Sequence, residues 1–156
     1  EKLDALKREG GSVVEYPGGR AISEDELVGL DCEIWVPAAR PDVIHMGNVD
    51  AMRAKLIVSG ANIAITSEAE VRLHARGIVS VPDFICNAGG VICAAMEYRG
   101  ATQAAVFEEI AERVGSNTRT ILEASMRAGR PPRTAATELS VERIRNAMST
   151  RRWAVR

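Results

Sequence analysis

Residues 78–91, Ile78-Val79-Ser80-Val81-Pro82-Asp83-Phe84-Ile85-Cys86-Asn87-Ala88-Gly89-Gly90-Val91, carry the reading that decides the fold. The apolar run 78–81 reads as a buried strand. Pro-Asp ends it, and Asn-Ala-Gly-Gly opens a helix through about Tyr98. Glycines let backbone approach a ligand closely, and the N–H groups at a helix start can face it.

Two earlier runs end in a comparable way. Glu33-Ile34-Trp35-Val36 leads into Pro37-Ala38-Ala39, and Lys55-Leu56-Ile57-Val58-Ser59 leads into Gly60-Ala61-Asn62. Neither alternates with polar residues, as expected for strands covered on both faces. Helical signals lie between them. Asn48 is placed to cap a short helix through about Ala54. Ser67 and Glu70 have capping-box spacing for a helix ending at Gly77, with Ala69, Leu73 and Arg76 on one face and its flank. Alternation of strand and helix calls for a parallel sheet with crossover helices, so all three strand ends meet at one edge. Open α/β sheets bind ligands there. Ala38, Ala39, Asn62 and Asn87 converge at that edge.

The rest of the chain reads as helices and breaks. Residues 1–9 form a helix with Leu3 and Leu6 inward, stopped at Gly10-Gly11. Residues 10–22 are irregular, with a turn at Pro17-Gly18-Gly19. Ser23 and Glu26 make a second capping box for a helix ending near Gly29. Residues 101–128 are helical, with Val106, Ile110, Val114, Ile121 and Leu122 on the apolar face and a candidate kink at Gly115-Ser116-Asn117. Gly129-Arg130-Pro131-Pro132 is a break. The last helix, about 133–151, places Ala136, Leu139 or Ser140, Ile144 and Met148 on one side. The expected division is therefore 1–130 as the main α/β unit and 131–156 as a terminal helix packing back on it.

These motifs resemble a known family. VPAA (36–39), GAN followed by T-x-E-A (60–62 and 66–69), Pro82-Asp83 and NAGGV (87–91) are similar to the cofactor-binding domain of the glutamate/leucine/phenylalanine/valine dehydrogenases. Gly11-Ser12-Val13 with Tyr16-Pro17-Gly18 resembles an upstream stretch of that family, and Arg133-Thr134-Ala135-Ala136 with 141–144 resembles its last long helix. Nearly the whole chain is covered. The resemblance implies a Rossmann-like α/β fold, incomplete here, forming the carboxyl-terminal part of an NAD- or NADP-binding domain. It also implies oxidative deamination of an L-amino acid to a 2-oxo acid and ammonia by a homo-oligomer. Ala38 and Ala39 would line the dinucleotide, Asn62 the nicotinamide ribose or carboxamide, and Asn87 the junction of nicotinamide and substrate. Val91 and Ala94 would line the substrate side-chain pocket. The alternative role for either Asn is a helix cap or loop brace.

Departures and gaps shape the expectation. Family members usually carry Pro at the position of Ala64, where it fixes φ. Glutamate-specific members have Ser at the position of Ala94. The phosphate loop G-x-G-x-x-G is not among the glycine spacings of this sequence. In the family that loop and the catalytic Lys and Asp lie upstream, so no catalytic residue is assigned here. The chain thus reads as part of a dehydrogenase; a truncated, non-catalytic α/β domain serving as an interaction or remnant module is the alternative.

Composition bounds the remaining possibilities. The chain has 156 residues, 46% of them apolar, enough for one core. Its 20 basic and 21 acidic residues give a net charge of −1, which argues against nucleic acid or an anionic membrane as partner. No apolar run approaches a membrane span of about 18 residues. Glu1-Lys2-Leu3-Asp4 lacks signal-peptide character and reads as lying inside a longer chain. Cys32, Cys86 and Cys93 read as reduced thiols of a cytoplasmic protein. His45 and His74 lack metal-ligand spacing, so no metal is expected. Asp83 reads as structural, and Glu97 and Glu142-Arg143 as partners in helix-face or interdomain ion pairs. Arg151, Arg152 and Arg156 read as solvated charge.

Overall fold

A computed structural model describes residues 2–149. Its centre is a three-stranded parallel sheet in chain order, β1 (Ile34–Trp35), β2 (Leu56–Val58) and β3 (Val79–Val81), with Ile34 opposite Leu56 and Leu56 opposite Val79. The helices are α1 (Lys2–Arg8), α2 (Glu24–Val28), α3 (Ser67–Ala75), α4 (Asp83–Cys86), α5 (Gly89–Glu97), α6 (Gln103–Ala128) and α7 (Pro132–Ser149). A strand's successive side chains point to opposite faces, and the core divides accordingly. Ile57 joins Val28, Ile44, Met52, Ala69 and Leu73 on one face. Leu56, Val58 and Val81 meet Ile85, Ile121, Ala135 and Ala136 on the other. The result is an open α/β sheet with helices on both faces, as the strand–helix order requires.

Coverage is uneven. Trp35 packs into the first cluster, but Ile34 and Val36 are 57% and 58% exposed. The helices of the second face come late in the chain and pack over β2 and β3, so β1 is not covered on both sides as its apolar run suggests. The end of α7 behaves similarly. Ala136 is buried and Leu139 half-buried, whereas Ile144 and Met148 are exposed, so the expected apolar side holds only through the first turns. The expected extension of this helix to 151, and the tail arginines, lie outside the described residues.

Local signals hold with specific corrections. Ser23 caps α2, accepting from the Glu26 N–H at 3.2 Å, while the Glu26 carboxylate accepts from the Ser23 N–H at 2.8 Å. At α3 the cap is Thr66 rather than Ser67; its hydroxyl accepts from the Ala69 N–H, and Glu70 is drawn into a buried ion pair instead of closing a capping box. Asn48 precedes only a single 3-10 turn, Val49–Ala51, and its side chain braces the loop by accepting from the His45 N–H and donating to Asp25 and the Val43 carbonyl. Helix α6 runs straight through residues 115–117 without a break, because Gly115 adds only a weak helix penalty that 26 residues of packing outweigh. Gly129 ends it in the left-handed conformation, φ 62°, where a side chain would be strained. Leu3 is exposed and Leu6 half-buried against Gly11, and no residue of α1 is fully buried, so the expected inward face is only partly covered.

Candidate functional site

The carboxyl ends of the three strands meet along one edge. After β1 the backbone of Pro37 accepts hydrogen bonds from the N–H groups of Gly60 and Ala61, each at 2.9 Å, which zips the loop after β2 to the loop after β1. Gly60 permits this approach: a Cβ there would lie 3.0 Å from the Ala38 Cβ. Beside it opens a cleft of about 420 Å³ lined by Ala38, Ala39, Gly60, Ala61, Asn62 and Ile63, among others. A second hollow of about 480 Å³ borders Ala38 and Ala39 from the side of Trp35 and α2. Small side chains leave the backbone of this edge reachable.

Two expected site residues touch. The Asn87 side-chain amide donates to Asn62 Oδ1 at 2.7 Å and to the Gly60 carbonyl at 3.4 Å. Asn87 closes α4 as its last cap residue, yet its side chain serves no cap; it reaches across to the loop after β2. Asn62 is exposed and Asn87 half-buried. Among the described residues, Asn62 Nδ2 and Asn87 Oδ1 have no partner, so the pair keeps an amide nitrogen and an amide oxygen free beside the cleft.

Behind the pair lies a network that no local motif announces. The residue after Asn62, Ile63, has φ 51°, a left-handed conformation that is a true outlier for a β-branched side chain and costs about 1–3 kcal/mol. Its N–H donates to Asp83 Oδ2 at 2.9 Å, and its carbonyl accepts from the Asp42 N–H at 2.8 Å. Asp83 is buried at the start of α4. Its other oxygen accepts from Arg133 Nη2 at 2.8 Å, and Arg133 also grips the buried Glu70 of α3 with two hydrogen bonds while stacking over Phe84, 5.4 Å from the ring centre. Burial works to raise the Asp83 carboxyl, but the Ile63 N–H and the Arg133 guanidinium outweigh it and hold it below the ordinary value. Asp83 is therefore structural as expected, bracing the Asn62 loop. Ala64, with no ring to fix its φ, is buried, and the loop is held by these bonds and by packing. Sequence reading gave Glu70 to a capping box and Arg133 to a family helix motif, passed over Ile63, and foresaw no contact among them. Their partners lie 20 to 63 positions away in sequence, and nothing in a lone Arg or Ile announces such a contact.

The remaining candidates stand apart. Val91 is 77% exposed and Ala94 is also exposed, both on α5, a helix with no buried residue. They share a face, as their spacing predicts, but the described residues build no wall opposite them. The Cys86 thiol donates to the Ser59 and Pro82 carbonyls, and burial pushes its pKa up, which is the opposite of an activated nucleophile. His45 binds Asn48 and the Gly47 N–H, and no cluster suited to a metal occurs among the described residues. Arg143 donates to Asn117 on α6 at 2.9 Å, a neutral partner instead of an acid. Among the described residues no helix is long and apolar enough to cross a membrane.

The chain has counterparts among known proteins. A family model described as glutamate/leucine/phenylalanine/valine dehydrogenase matches residues 1–152. The NADP-specific glutamate dehydrogenase of Saccharolobus shibatae is 36% identical over 149 residues, covering 90% of this chain and 35% of the relative. The glutamate dehydrogenase of Thermotoga maritima is 47% identical over 98 residues, 63% of this chain and 24% of that protein. Among solved structures, the hetero-hexameric glutamate dehydrogenase of Thermus thermophilus in its Leu-bound form superposes with a TM-score of 0.78 at 25% identity, over 94% of this chain and 35% of that one. The L-tryptophan dehydrogenase of Nostoc punctiforme shares the fold, with a TM-score of 0.76 at 22% identity over 96% and 42% of the two chains. The chain thus spans 35% and 24% of the lengths of these two curated relatives.

Proposed function

The chain belongs to the glutamate/leucine/phenylalanine/valine dehydrogenase family, and on that premise we propose that it is the carboxyl-terminal part of an amino-acid dehydrogenase, supplying one side of its NAD or NADP site. The observation that carries this reading is the contact of Asn87 with Asn62 at 2.7 Å, beside the small-residue cleft of Ala38, Ala39 and Gly60. The donor set fits a nicotinamide nucleotide. Its carboxamide and ribose hydroxyls need both donors and acceptors, and the amide pair keeps both kinds free. Such a cofactor supplies acceptance of a hydride from the α-carbon of the amino acid.

The residues of this chain bind and orient. Ala38 and Ala39, bearing only methyl groups, let a flat ligand lie on the backbone of the edge. Asn62 and Asn87 hold each other in register, so neither amide must be ordered when a ligand arrives, which lowers the entropic cost of binding. The sequence contains no G-x-G-x-x-G phosphate loop and no assigned proton-transfer residue, so those roles fall to other parts of the enzyme. Val91 and Ala94 present an apolar surface from which a substrate pocket is completed by a second domain.

Steady-state kinetics on the enzyme carrying this chain test the reading. Asn62→Ala and Asn87→Ala should each raise KM for the nucleotide about three- to tenfold, the scale of one hydrogen bond. Unchanged nucleotide KM and kcat in both variants would refute it.

A further inference from the structure

We propose that Arg133, on α7 and outside the cleft, is a positioning residue for Asn62, acting through the Asp83 carboxylate. The inference rests on the reading of Asn62 as a nucleotide-contacting residue. Each link is a short contact: Arg133 Nη2 to Asp83 Oδ1 at 2.8 Å, Asp83 Oδ2 to the Ile63 N–H at 2.9 Å, and Ile63 covalently to Asn62. Two features make this more than general packing. Ile63 sits in a conformation its branched side chain disfavours, so an outside force must hold it, and Asp83 is the group hydrogen-bonded to its N–H. Asp83 in turn is buried, and burying a carboxylate is costly unless it is both hydrogen-bonded and paired; Arg133 supplies the paired charge while anchored on Glu70. Glu70, Asp83 and Arg133 join α3, α4 and α7, so the last helix sets the loop after β2 without approaching the cleft.

The test uses the enzyme carrying this chain, with Arg133→Lys and Asp83→Asn, and follows amide hydrogen exchange by mass spectrometry over residues 60–65. Lysine cannot serve both carboxylates with a fork, and asparagine keeps the shape of Asp83 while removing its charge. Exchange of 60–65 should rise about tenfold in both variants while residues 49–57 stay protected. Nucleotide KM should rise by a similar factor, and an Asn62→Ala background should abolish that rise, because the effect passes through Asn62. Equal loosening of all segments, unchanged exchange at 60–65, or KM effects that simply add to those of Asn62→Ala would each overturn the inference. Should Arg133→Lys fail to fold, the isosteric Asp83→Asn decides by the same criteria. Unchanged nucleotide KM and kcat in both Asn62→Ala and Asn87→Ala refute the amide-pair reading itself, whereas unchanged exchange at 60–65 refutes only the role of Arg133.

Discussion

Replacing Arg133 by Met should destabilise the fold substantially at neutral pH, and the structure sets the scale. Arg133 faces two buried carboxylates, Glu70 and Asp83, and methionine leaves both without a counter-charge. Breaking a buried pair from one side costs about 3–5 kcal/mol. The Arg133 side chain is 33% exposed, so solvent screens part of the interaction, and the stack over Phe84 adds about 0.5–1 kcal/mol. A net loss of about 2–4 kcal/mol follows, and with a urea slope of about 2 kcal/mol/M the midpoint should fall about 1–2 M. The pH dependence has a definite sign. The folded-state pKa of Asp83 lies below its unfolded value, so its stabilising contribution is present above the ordinary carboxylate range and is lost as pH falls through the folded value. Without Arg133 that pKa moves upward. The deficit of Arg133→Met should therefore be largest near neutrality and shrink as the solution is acidified through the carboxylate range. Urea unfolding followed by far-ultraviolet circular dichroism at several pH values measures both. A midpoint shift under about 0.3 M, or a deficit that widens on acidification, would refute the reasoning.

The open sheet edge and the bare α5 face carry further expectations. The isolated chain should show no reduced-nicotinamide absorbance with any amino acid and bind dinucleotide weakly, because it has no phosphate loop to hold the pyrophosphate; turnover by the purified chain would contradict this. It should also self-associate, since Ile34, Val36, Val91 and Tyr98 leave apolar surface open along β1 and α5; light scattering that reports a monomer at high concentration would argue otherwise. In the enzyme carrying this chain, Ala94→Ser should raise kcat/KM for glutamate relative to leucine by about tenfold, a hydroxyl donor being supplied where Ala94 has only a methyl; an unchanged ratio would remove Ala94 from the substrate site.

Much of this protein is written locally. Three apolar runs of strand length, separated by helix starts, specify a parallel sheet because period and capping act over a few residues and need no distant partner. The same short-range logic puts Ala38, Ala39, Asn62 and Asn87 at one edge: strand direction alone determines which ends coincide. Tertiary structure decided the rest. That Asn87 ignores the helix it caps and donates to Asn62 depends on the spacing of β2 and β3. That β1 keeps an open face depends on how far α6 and α7 extend over the sheet. Ile63 adopts a left-handed φ because Asp83, 20 positions on, takes its N–H, and Arg133 pairs with that carboxylate from 50 positions further still. Local preference would place Ile63 in an extended conformation. Only the sum of a buried acid, a distant guanidinium and the packed sheet outweighs it, and no window of sequence contains all three.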